Sequence, residues 1–411
     1  MFGKRRTWVR CCTVLAALVA IDLVLARTWL AEGRIGKRPL PPFGALSSDG
    51  QRAALARLEL DQPASDALTG FDRELGWCVR PNASRADGEF QIGPFGARGA
   101  RDYAPTPPPY VVRLACYGDS FTFGDEVKDE WTYEALLESL DPRVQALNFG
   151  VPAYGTDQAL LRMRRDGLRG ARVAVIGLLL ENIGRNVNRY RTLWTPRTET
   201  PLAKPRVVLA AHAARTTGAT GGGSDLELVP QPFATGRELA AAVRDGSILE
   251  RLAEHEYWRG RPAIPTGEWS ALVRVVGGVL AYRERTPERL WLDRDGEPRR
   301  VTLAILEAFR DEARARGAER VLVLVLPMKE ELAAFRASGR AYWTEVLEEL
   351  EARGLEYLDV APALAAEERE LERNASTATL YVASHLSSVG NSVVARELHA
   401  WLLAQRLVPE R

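Results

Sequence analysis

Residues 111–124, with the sequence VVRLACYGDSFTFG, decide how this chain folds. Val111–Tyr117 is a nearly continuous apolar run, which is typical of a strand buried on both faces of a parallel sheet. Gly118, Asp119 and Ser120 follow at once, ahead of a predicted helix. Glycine permits a sharp turn and aspartate can bond to turn backbone. The stretch therefore predicts a strand that turns tightly into a helix, with a serine exposed at the turn.

The same pattern of buried strand and amphipathic helix repeats along the chain. Four further runs rich in Val and Leu predict strands, at Val144–Phe149, Val173–Leu180, Val321–Leu326 and Leu355–Val360. Helical patterns lie between and after them, at Trp131–Leu140, Thr156–Leu168, Val301–Arg316, Glu330–Arg353 and Val389–Leu407. Strands that alternate with helices form a parallel sheet covered on both faces. We therefore expect an α/β fold, a flavodoxin-like three-layer α/β/α sandwich with a five-stranded parallel sheet.

Residues 186–298 interrupt this rhythm and are interpreted as an insertion in the domain. Two short β-like runs, Arg206–Ala210 and Leu226–Val229, flank a flexible Gly-rich loop at Thr216–Ser224. Residues 238–285 look helical. The insertion is either a cap over a site or a surface elaboration without catalytic consequence, and the sequence favours neither.

The N-terminus predicts a membrane segment. Four basic residues, Lys4, Arg5, Arg6 and Arg10, precede an apolar run from Cys11 to Ala26 that only Asp22 interrupts. Basic residues before an apolar run are typical of an export signal. Counted from Trp8, the segment is about long enough for a membrane span, which needs ~20 residues. Residues 1–30 are therefore predicted to be a signal-anchor, or a signal peptide with a cleavage site at Val24-Leu25-Ala26.

The rest of the chain divides into a lead-in and one domain. Residues 31–110 are rich in Pro, Gly and Arg and predict a linker followed by loops. Residues 111–407 hold the α/β domain. An uncleaved anchor would hold this domain outside the cytoplasm, in a periplasmic or other extracytoplasmic space, and a cleaved signal would make the protein secreted. The N-terminal helix lacks a polar face, so we expect it to stand apart from the domain.

Composition argues against several kinds of partner. The formal net charge of +1 gives no electrostatic case for nucleic acid or for an acidic polymer. The sequence has no Cys-x-x-Cys or His-Glu-x-x-His pattern, so we expect no zinc site. Nothing in the sequence calls for a metal or an organic cofactor.

A serine nucleophile needs a base, and the chain has four histidines. His385 lies in a predicted loop just before the last helix, where it can approach Ser120 at the rim of the sheet. Surface or packing roles explain the other three better; they are His212, His255 and His399.

Four blocks in this sequence resemble the SGNH/GDSL hydrolase superfamily over about residues 111–406. They stand in the family's order, as Gly118-Asp119-Ser120, Asn148–Gly155, Leu180–Ile183 and His385–Gly390. The family takes its nucleophile from the first block, a backbone N–H donor from the second, an asparagine from the third, and Asp and His from the last. The resemblance implies Ser120 as nucleophile and His385 as base. It also implies an oxyanion hole formed by the Ser120 and Ala153 N–H groups and the Asn182 side chain.

Two departures from the family pattern bear on the function. Ala153 stands where the family usually has glycine, and its N–H can still donate unless the position needs a positive φ. The family's acid, two or three residues before His385, is replaced by Val382 and Ala383. A backbone carbonyl, or a carboxylate from Glu367–Glu372, would then have to orient the imidazole.

The resemblance implies an esterase that cleaves carboxylic esters through an acyl-enzyme. The abundance of Arg over Lys suggests a bacterial source, and the N-terminal segment predicts that the protein is membrane-anchored. Its expected substrate is an acylated small molecule or an envelope or secreted glycan. Two alternatives stay open: an O-acyltransferase of exported polysaccharide, and a non-catalytic, membrane-anchored glycan-binding or assembly protein on the same fold. The presence of Ser120, Asn182 and His385 together favours an enzyme. The missing acid and Ala153 favour the non-catalytic protein.

Overall fold

Helices and strands alternate along the chain in the computed structural model, which describes residues 2–28, 34–35, 38–40, 43–44, 46, 48–59, 67–198, 200–210, 225–261 and 270–408. The strands are Arg34–Ile35 (β1), Arg38–Pro39 (β2), Thr69–Asp72 (β3), Gly76–Val79 (β4), Val112–Gly118 (β5), Val144–Gly150 (β6), Val173–Leu179 (β7), Arg206–Leu209 (β8), Leu226–Val229 (β9), Arg320–Leu326 (β10), Glu356–Asp359 (β11), Tyr381–Val382 (β12) and His385–Leu386 (β13). The helices are Phe2–Thr28 (α1), Asp49–Glu59 (α2), Ser120–Phe123 (α3), Tyr133–Leu140 (α4), Thr156–Asp166 (α5), Asn182–Asn186 (α6), Arg191–Trp194 (α7), Gly236–Asp245 (α8), Ile248–Arg251 (α9), Ala271–Glu284 (α10), Pro287–Leu292 (α11), Glu297–Ala315 (α12), Lys329–Ser338 (α13), Thr344–Ala352 (α14), Ala361–Arg373 (α15) and Ser388–Ala404 (α16), with a 3₁₀ turn at Asp129–Trp131.

The five predicted strands form one parallel sheet in the order β11-β10-β7-β5-β6. Three of them, β5, β6 and β7, are buried along their whole length, which is why their sequences are continuous apolar runs and do not alternate. Helices flank the sheet: α12 packs against α5 and α6, and α16 packs against α4 and α15. The predicted α/β/α fold with a five-stranded parallel sheet is confirmed.

The strand order places a binding crevice at a defined point. The chain runs from β5 outward to β6, then crosses back to β7 on the other side of β5. In open parallel sheets, ligands bind at the carboxyl ends of the strands where the order reverses in this way. Here that point lies between the ends of β5 and β7, directly before Ser120 and Asn182.

Two helical predictions differ from the structure in detail. The single helix predicted over Glu330–Arg353 is two helices, α13 and α14. Gly339 ends the first of them in the left-handed conformation, with φ +66°, and its N–H caps the carbonyl of Phe335. The helix α15, Ala361–Arg373, was not predicted.

The insertion contains the two predicted β-like runs as an antiparallel pair, β8 with β9. Its predicted helical part is three helices, α8, α9 and α10. The predicted Gly-rich loop at Thr216–Ser224 lies outside the described residues, as does His212.

The N-terminal helix α1 contains a segment, Trp8–Arg27, that is long and apolar enough to cross a membrane. Length and composition fit a membrane anchor and a signal peptide equally. The expectation that this helix stands apart from the domain is wrong, because α1 packs against α10. The Asp22 carboxylate accepts hydrogen bonds from the Ser270 hydroxyl at 2.7 Å and from the Leu272 N–H at 2.8 Å.

Candidate active site

The nucleophile candidate sits at the first turn after β5. Ser120 is the first residue of α3, and Asp119 caps that helix by accepting the Phe121 N–H at 2.9 Å. Gly118 is required by space here, because a Cβ at this position would overlap the side chain of Thr122. The turn that the sequence predicts is therefore present, and close packing holds it.

A buried arginine that sequence reasoning missed ties three of the four blocks together. Arg185, in α6, contacts the Asp119 carboxylate at 3.2 Å and donates to the Tyr154 carbonyl at 3.0 Å. It also pairs with Glu181 at 3.3 Å. Burial raises the pKa of the Asp119 carboxyl, and the charge of Arg185 opposes that rise. Its position in the sequence, four residues after a glutamate and next to the third block, was the only available signal.

The base candidate reaches the nucleophile from a short hairpin. Strands β12 and β13 pair antiparallel, with Val382 opposite His385, and Ala383 and Ser384 form the turn. The His385 Nε2 lies 2.9 Å from the Ser120 Oγ, inside the range expected for a nucleophile and its base. The ring of Phe121 lies beside the imidazole, with centroids 5.4 Å apart.

No carboxylate among the described residues contacts the Nδ1 of His385, the atom that an orienting acid would hold. Its neighbour is the Ser384 hydroxyl at 3.4 Å, a long and weak contact. The expected substitute from Glu367–Glu372 is not seen there: Glu367 pairs with Arg396, Glu370 with Arg373, and Glu368 and Glu372 with Arg336. A neutral hydroxyl thus stands where the acid would be.

One carboxylate approaches the other edge of the imidazole. The Asp125 Oδ2 lies 3.9 Å from His385 Nε2, and the Asp125 N–H donates to the Ser120 carbonyl at 3.0 Å. Burial raises the pKa of Asp125 to about 7, against the opposing charge of Arg98. Burial also lowers the pKa of His385, which keeps its imidazole neutral at neutral pH. Asp125 was missed because it lies after the recognised block, in a turn with no pattern of its own.

The second block brings a strained backbone to the site. Ala153 has φ +67°, in the left-handed region that favours glycine, so this is a position that prefers positive φ. The alanine occupies it at a cost of roughly 1–2 kcal/mol for a left-handed residue with a Cβ. Neither the Ala153 N–H nor the Ser120 N–H donates a hydrogen bond within the part of the chain that the structure describes. Both donors are free for an oxyanion.

The third block supplies a buried amide. Asn182 starts α6, its residue is 0% exposed, and neither amide atom has a hydrogen-bond partner in the described residues. Its amide lies close enough to the Asp119 carboxyl to oppose the rise of that group's pKa. Its role as a donor to the oxyanion stays a prediction.

The insertion supports this third block directly. The Trp291 indole N–H donates to the Leu180 carbonyl at 2.9 Å, and the Trp258 indole N–H donates to the Gly184 carbonyl at 2.9 Å. These two bonds bracket Asn182. The insertion therefore contacts the segment that carries Asn182.

The same part of the insertion contains a cavity of about 380 Å³. Tyr257, Trp258, Arg261 and Arg285 form much of its wall. The Arg261 guanidinium lies over the Tyr257 ring, 3.9 Å from its centroid. Aromatic faces and guanidinium groups therefore line a space next to the segment that carries Asn182.

The other two described histidines lie away from Ser120. His255 is exposed, and its ring lies 3.5 Å from the Glu254 carboxylate. His399 contacts Asp141 at 3.2 Å within the helical layer. Among the described residues, no group of three or more His, Cys, Asp or Glu side chains could hold a metal ion.

No protein-family model and no curated protein matches this chain. Similar solved structures include a Desulfitobacterium hafniense protein assigned to the G-D-S-L family of lipolytic proteins; it is 10% identical, with a TM-score of 0.32 over 70% of this chain and 98% of that one. An acetyl xylan esterase is 11% identical, with a TM-score of 0.34, and the match covers 71% of this chain and 100% of the esterase. A Bacteroides fragilis protein assigned as an acylhydrolase is 12% identical, with a TM-score of 0.29, and the match covers 73% of this chain and 91% of that protein. At such identities and TM-scores the likeness carries no argument about function.

Proposed function

We propose that this chain is a serine esterase of the SGNH/GDSL type, which cleaves carboxylic esters through an acyl-enzyme. The contact between Ser120 Oγ and His385 Nε2, at 2.9 Å, carries the proposal. A serine is a weak nucleophile unless a neighbouring base removes its proton. The lowered pKa of His385 favours the neutral imidazole that can do so.

The chemistry follows from the positions of these groups. His385 takes the hydroxyl proton as Ser120 attacks the ester carbonyl, and it then gives that proton to the leaving alcohol. We expect the developing oxyanion to accept hydrogen bonds from the Ser120 and Ala153 N–H groups, neither of which donates to another group in the described residues. Asn182 supplies a third donor once its amide turns towards Ser120. Water, activated by His385, then releases the acid and restores the serine.

A transferase with the same groups is the second candidate. Ser120 is only 5% exposed and Asn182 is fully buried, so the site admits little water. Exclusion of water protects a reactive acyl-enzyme from hydrolysis and favours transfer to a bound hydroxyl. The cavity beside α6, with aromatic and guanidinium walls, is where we place the glycan portion of an acylated substrate or acceptor.

We further infer that α1 is a retained membrane anchor. The hydrogen bonds of Asp22 to Ser270 and Leu272 support retention, because cleavage after Ala26 would remove the partner of both donors. The basic residues at its start favour a cytoplasmic N-terminus and a domain on the far side of the membrane.

A fluorophosphonate probe, which reacts with activated serines, tests the assignment. The purified full chain in detergent should be labelled on the peptide that contains Ser120, and should hydrolyse p-nitrophenyl acetate. Ser120→Ala should abolish both, whereas Ser139→Ala, on an exposed helix position, should keep both. An unlabelled protein with no turnover would instead support the non-catalytic alternative.

A soluble sugar acceptor separates the two enzyme reactions. With an acyl donor present, a transferase should pass the acyl group to the sugar, which mass spectrometry detects as a heavier sugar. An esterase should release free acid at the same rate with or without the sugar.

A further inference from the structure

Helix α10 of the insertion carries an apolar face that the described residues leave uncovered. Val276, Val279 and Leu280 are 52%, 67% and 48% exposed. They stand three and four residues apart, so they share one face of the helix. The buried positions of the helix are small residues, namely Ala271, Gly277, Gly278 and Ala281. The helix thus packs closely on one side and presents on the other an apolar stripe that ends at the exposed Arg283.

The start of α10 is fixed to α1 by Asp22. One carboxylate oxygen accepts from the Ser270 hydroxyl and from the Leu272 N–H. The first N–H groups of a helix have no partner within the helix, so Asp22 caps α10 from outside. A carboxylate within an apolar span is costly unless such donors satisfy it. The contact therefore gives hydrogen-bond donors to the carboxylate within α1 and an acceptor to the start of α10.

The place of Asp22 along α1 sets the depth of α10. The candidate span ends at Arg27. Asp22 lies about 7.5 Å before that end, because a helix rises ~1.5 Å per residue. Interfacial helices bury their apolar face about 5–10 Å into the boundary between lipid headgroups and acyl chains. With α1 across a bilayer, the start of α10 lies at that depth.

We propose that α10 is an interfacial membrane helix, whose Val276, Val279 and Leu280 face rests in the leaflet at the C-terminal end of α1. This proposal rests on the retained anchor proposed above. Lipid is the occupant because the face belongs to a helix tied to the span at interfacial depth. The exposed apolar surface of α1 continues beside it.

The proposed lipid contact is linked through side chains to the segment that carries Asn182. Arg285, directly after α10, donates to the carbonyls of Leu193 in α7 and of Arg261. The Trp194 indole N–H in α7 donates to Glu181 at 3.3 Å, next to Asn182. Packed side chains therefore connect the proposed lipid contact with the segment after β7.

Depth-dependent fluorescence quenching tests the proposal on the full chain. Cys11 and Cys12 are exposed and are replaced by serine, while Cys78 and Cys116 are buried and stay. Single cysteines introduced as Val279→Cys, Leu18→Cys and Leu228→Cys carry an environment-sensitive dye. The labelled proteins are reconstituted into vesicles of phosphatidylethanolamine and phosphatidylglycerol, with quenching spin labels at shallow or deep acyl positions. Leu228, 50% exposed on β9, is the matched apolar control.

The dye at position 279 should emit at shorter wavelength than the dye at 228, and shallow spin labels should quench it more than deep ones. The dye at 18 should be quenched most by deep labels. A water-like, unquenched dye at 279 beside a quenched dye at 18 overturns the interfacial helix and leaves the anchor intact. An unquenched dye at 18 overturns the anchor itself. Apolar emission at 279 without lipid quenching overturns the proposal too, since protein would then cover the face.

Discussion

The two halves of the candidate site are held very differently. Ser120 sits on a turn fixed by a close-packed glycine, by the Asp119 cap and by the Arg185 pair, all buried. His385 sits on a two-residue hairpin strand, and among the described residues its Nδ1 contacts the Ser384 hydroxyl alone, at 3.4 Å. The candidate nucleophile is thus rigidly placed, while the candidate base is held mainly by the hairpin backbone and the neighbouring Phe121 ring.

This difference shows where the chain departs from a complete catalytic triad. An orienting acid fixes the imidazole tautomer and stabilises the imidazolium that forms during attack. Without it the base should contribute less to the rate than the nucleophile does. The contrast between a rigid serine and an under-oriented histidine can be measured by four tests, taken from the largest expected effect to the smallest.

Loss of the serine should cost more than loss of the histidine. Ser120→Ala removes the covalent route, so ester turnover should fall by at least ~10⁴, to the level left by oxyanion donors and binding. His385→Ala removes only general-base catalysis, which typically contributes about 10²–10⁴. The measurement is kcat for p-nitrophenyl acetate with the detergent-solubilised full chain. Equal losses for both variants would mean that the base is as well oriented as in a complete triad.

Arg185→Met should destabilise the fold around Ser120. The change leaves the Asp119 carboxylate buried without its partner, which typically costs about 3–5 kcal/mol of folding free energy. Urea unfolding of the full chain in detergent measures this loss. Arg164→Met, which removes a half-exposed pair with Glu312, is the control and should cost no more than about 1 kcal/mol.

The pH dependence of the stability lost in Arg185→Met shows whether the unpaired Asp119 carboxylate causes the loss. Without Arg185 the pKa of Asp119 rises further above its unfolded value of about 3.9, so the folded state binds the proton more tightly. Stability is then greatest at low pH and falls as pH rises through the raised pKa. The deficit of the variant should therefore be larger at pH 8 than at pH 5. A deficit independent of pH would point to lost packing.

Asn182→Ala tests whether the buried amide acts in catalysis. Loss of one oxyanion donor typically costs about 10²–10³ in kcat. The amide is unpartnered, so its removal should cost little stability, which separates this variant from Arg185→Met. Unchanged turnover would mean that the amide stays directed towards Asp119 throughout the reaction.

Sequence pattern predicted the framework of this site well and its connections poorly. The strands that carry Ser120 and Asn182 are continuous apolar runs, and the order of the blocks placed His385 beside the serine. Arg185 and Asp125 were missed because their roles depend on long-range contacts that no local pattern records. The contact of Asp22 with α10 was missed for the same reason, since its partner lies about 250 residues away along the chain.

Ala153 and the β12–β13 hairpin show a second limit of prediction from the sequence. The sequence raised the question of positive φ at Ala153, but only the backbone, at +67°, answered it. Likewise Val382 and Ala383 showed that the usual acid is missing, yet the Ser384 contact appears only once the turn is folded.

Val382→Asp should hold the His385 imidazole more firmly. Val382 stands directly opposite His385 in the hairpin, and opposite residues of an antiparallel pair put their side chains on one face, about 4.5–5.5 Å apart at Cβ. A carboxylate there should orient the imidazole and stabilise its protonated form. We expect a rise in kcat/KM of about tenfold, equivalent to ~1.4 kcal/mol of barrier. Val382→Asn, of the same size without charge, is the control and should give no such rise.

The pH profile checks that the imidazole is the group affected. Burial lowers the pKa of His385, so the activity of the native chain should rise with pH through a midpoint below 6.5. A nearby carboxylate favours the charged imidazole, and Val382→Asp should therefore move this midpoint to higher pH. Ala383→Asp places the charge at a turn residue with φ +50°, which aspartate tolerates, and should shift the midpoint less. A faster variant with an unmoved midpoint would mean that the new carboxylate acts elsewhere, and a native rate already typical of a complete triad would show that His385 needs no acid.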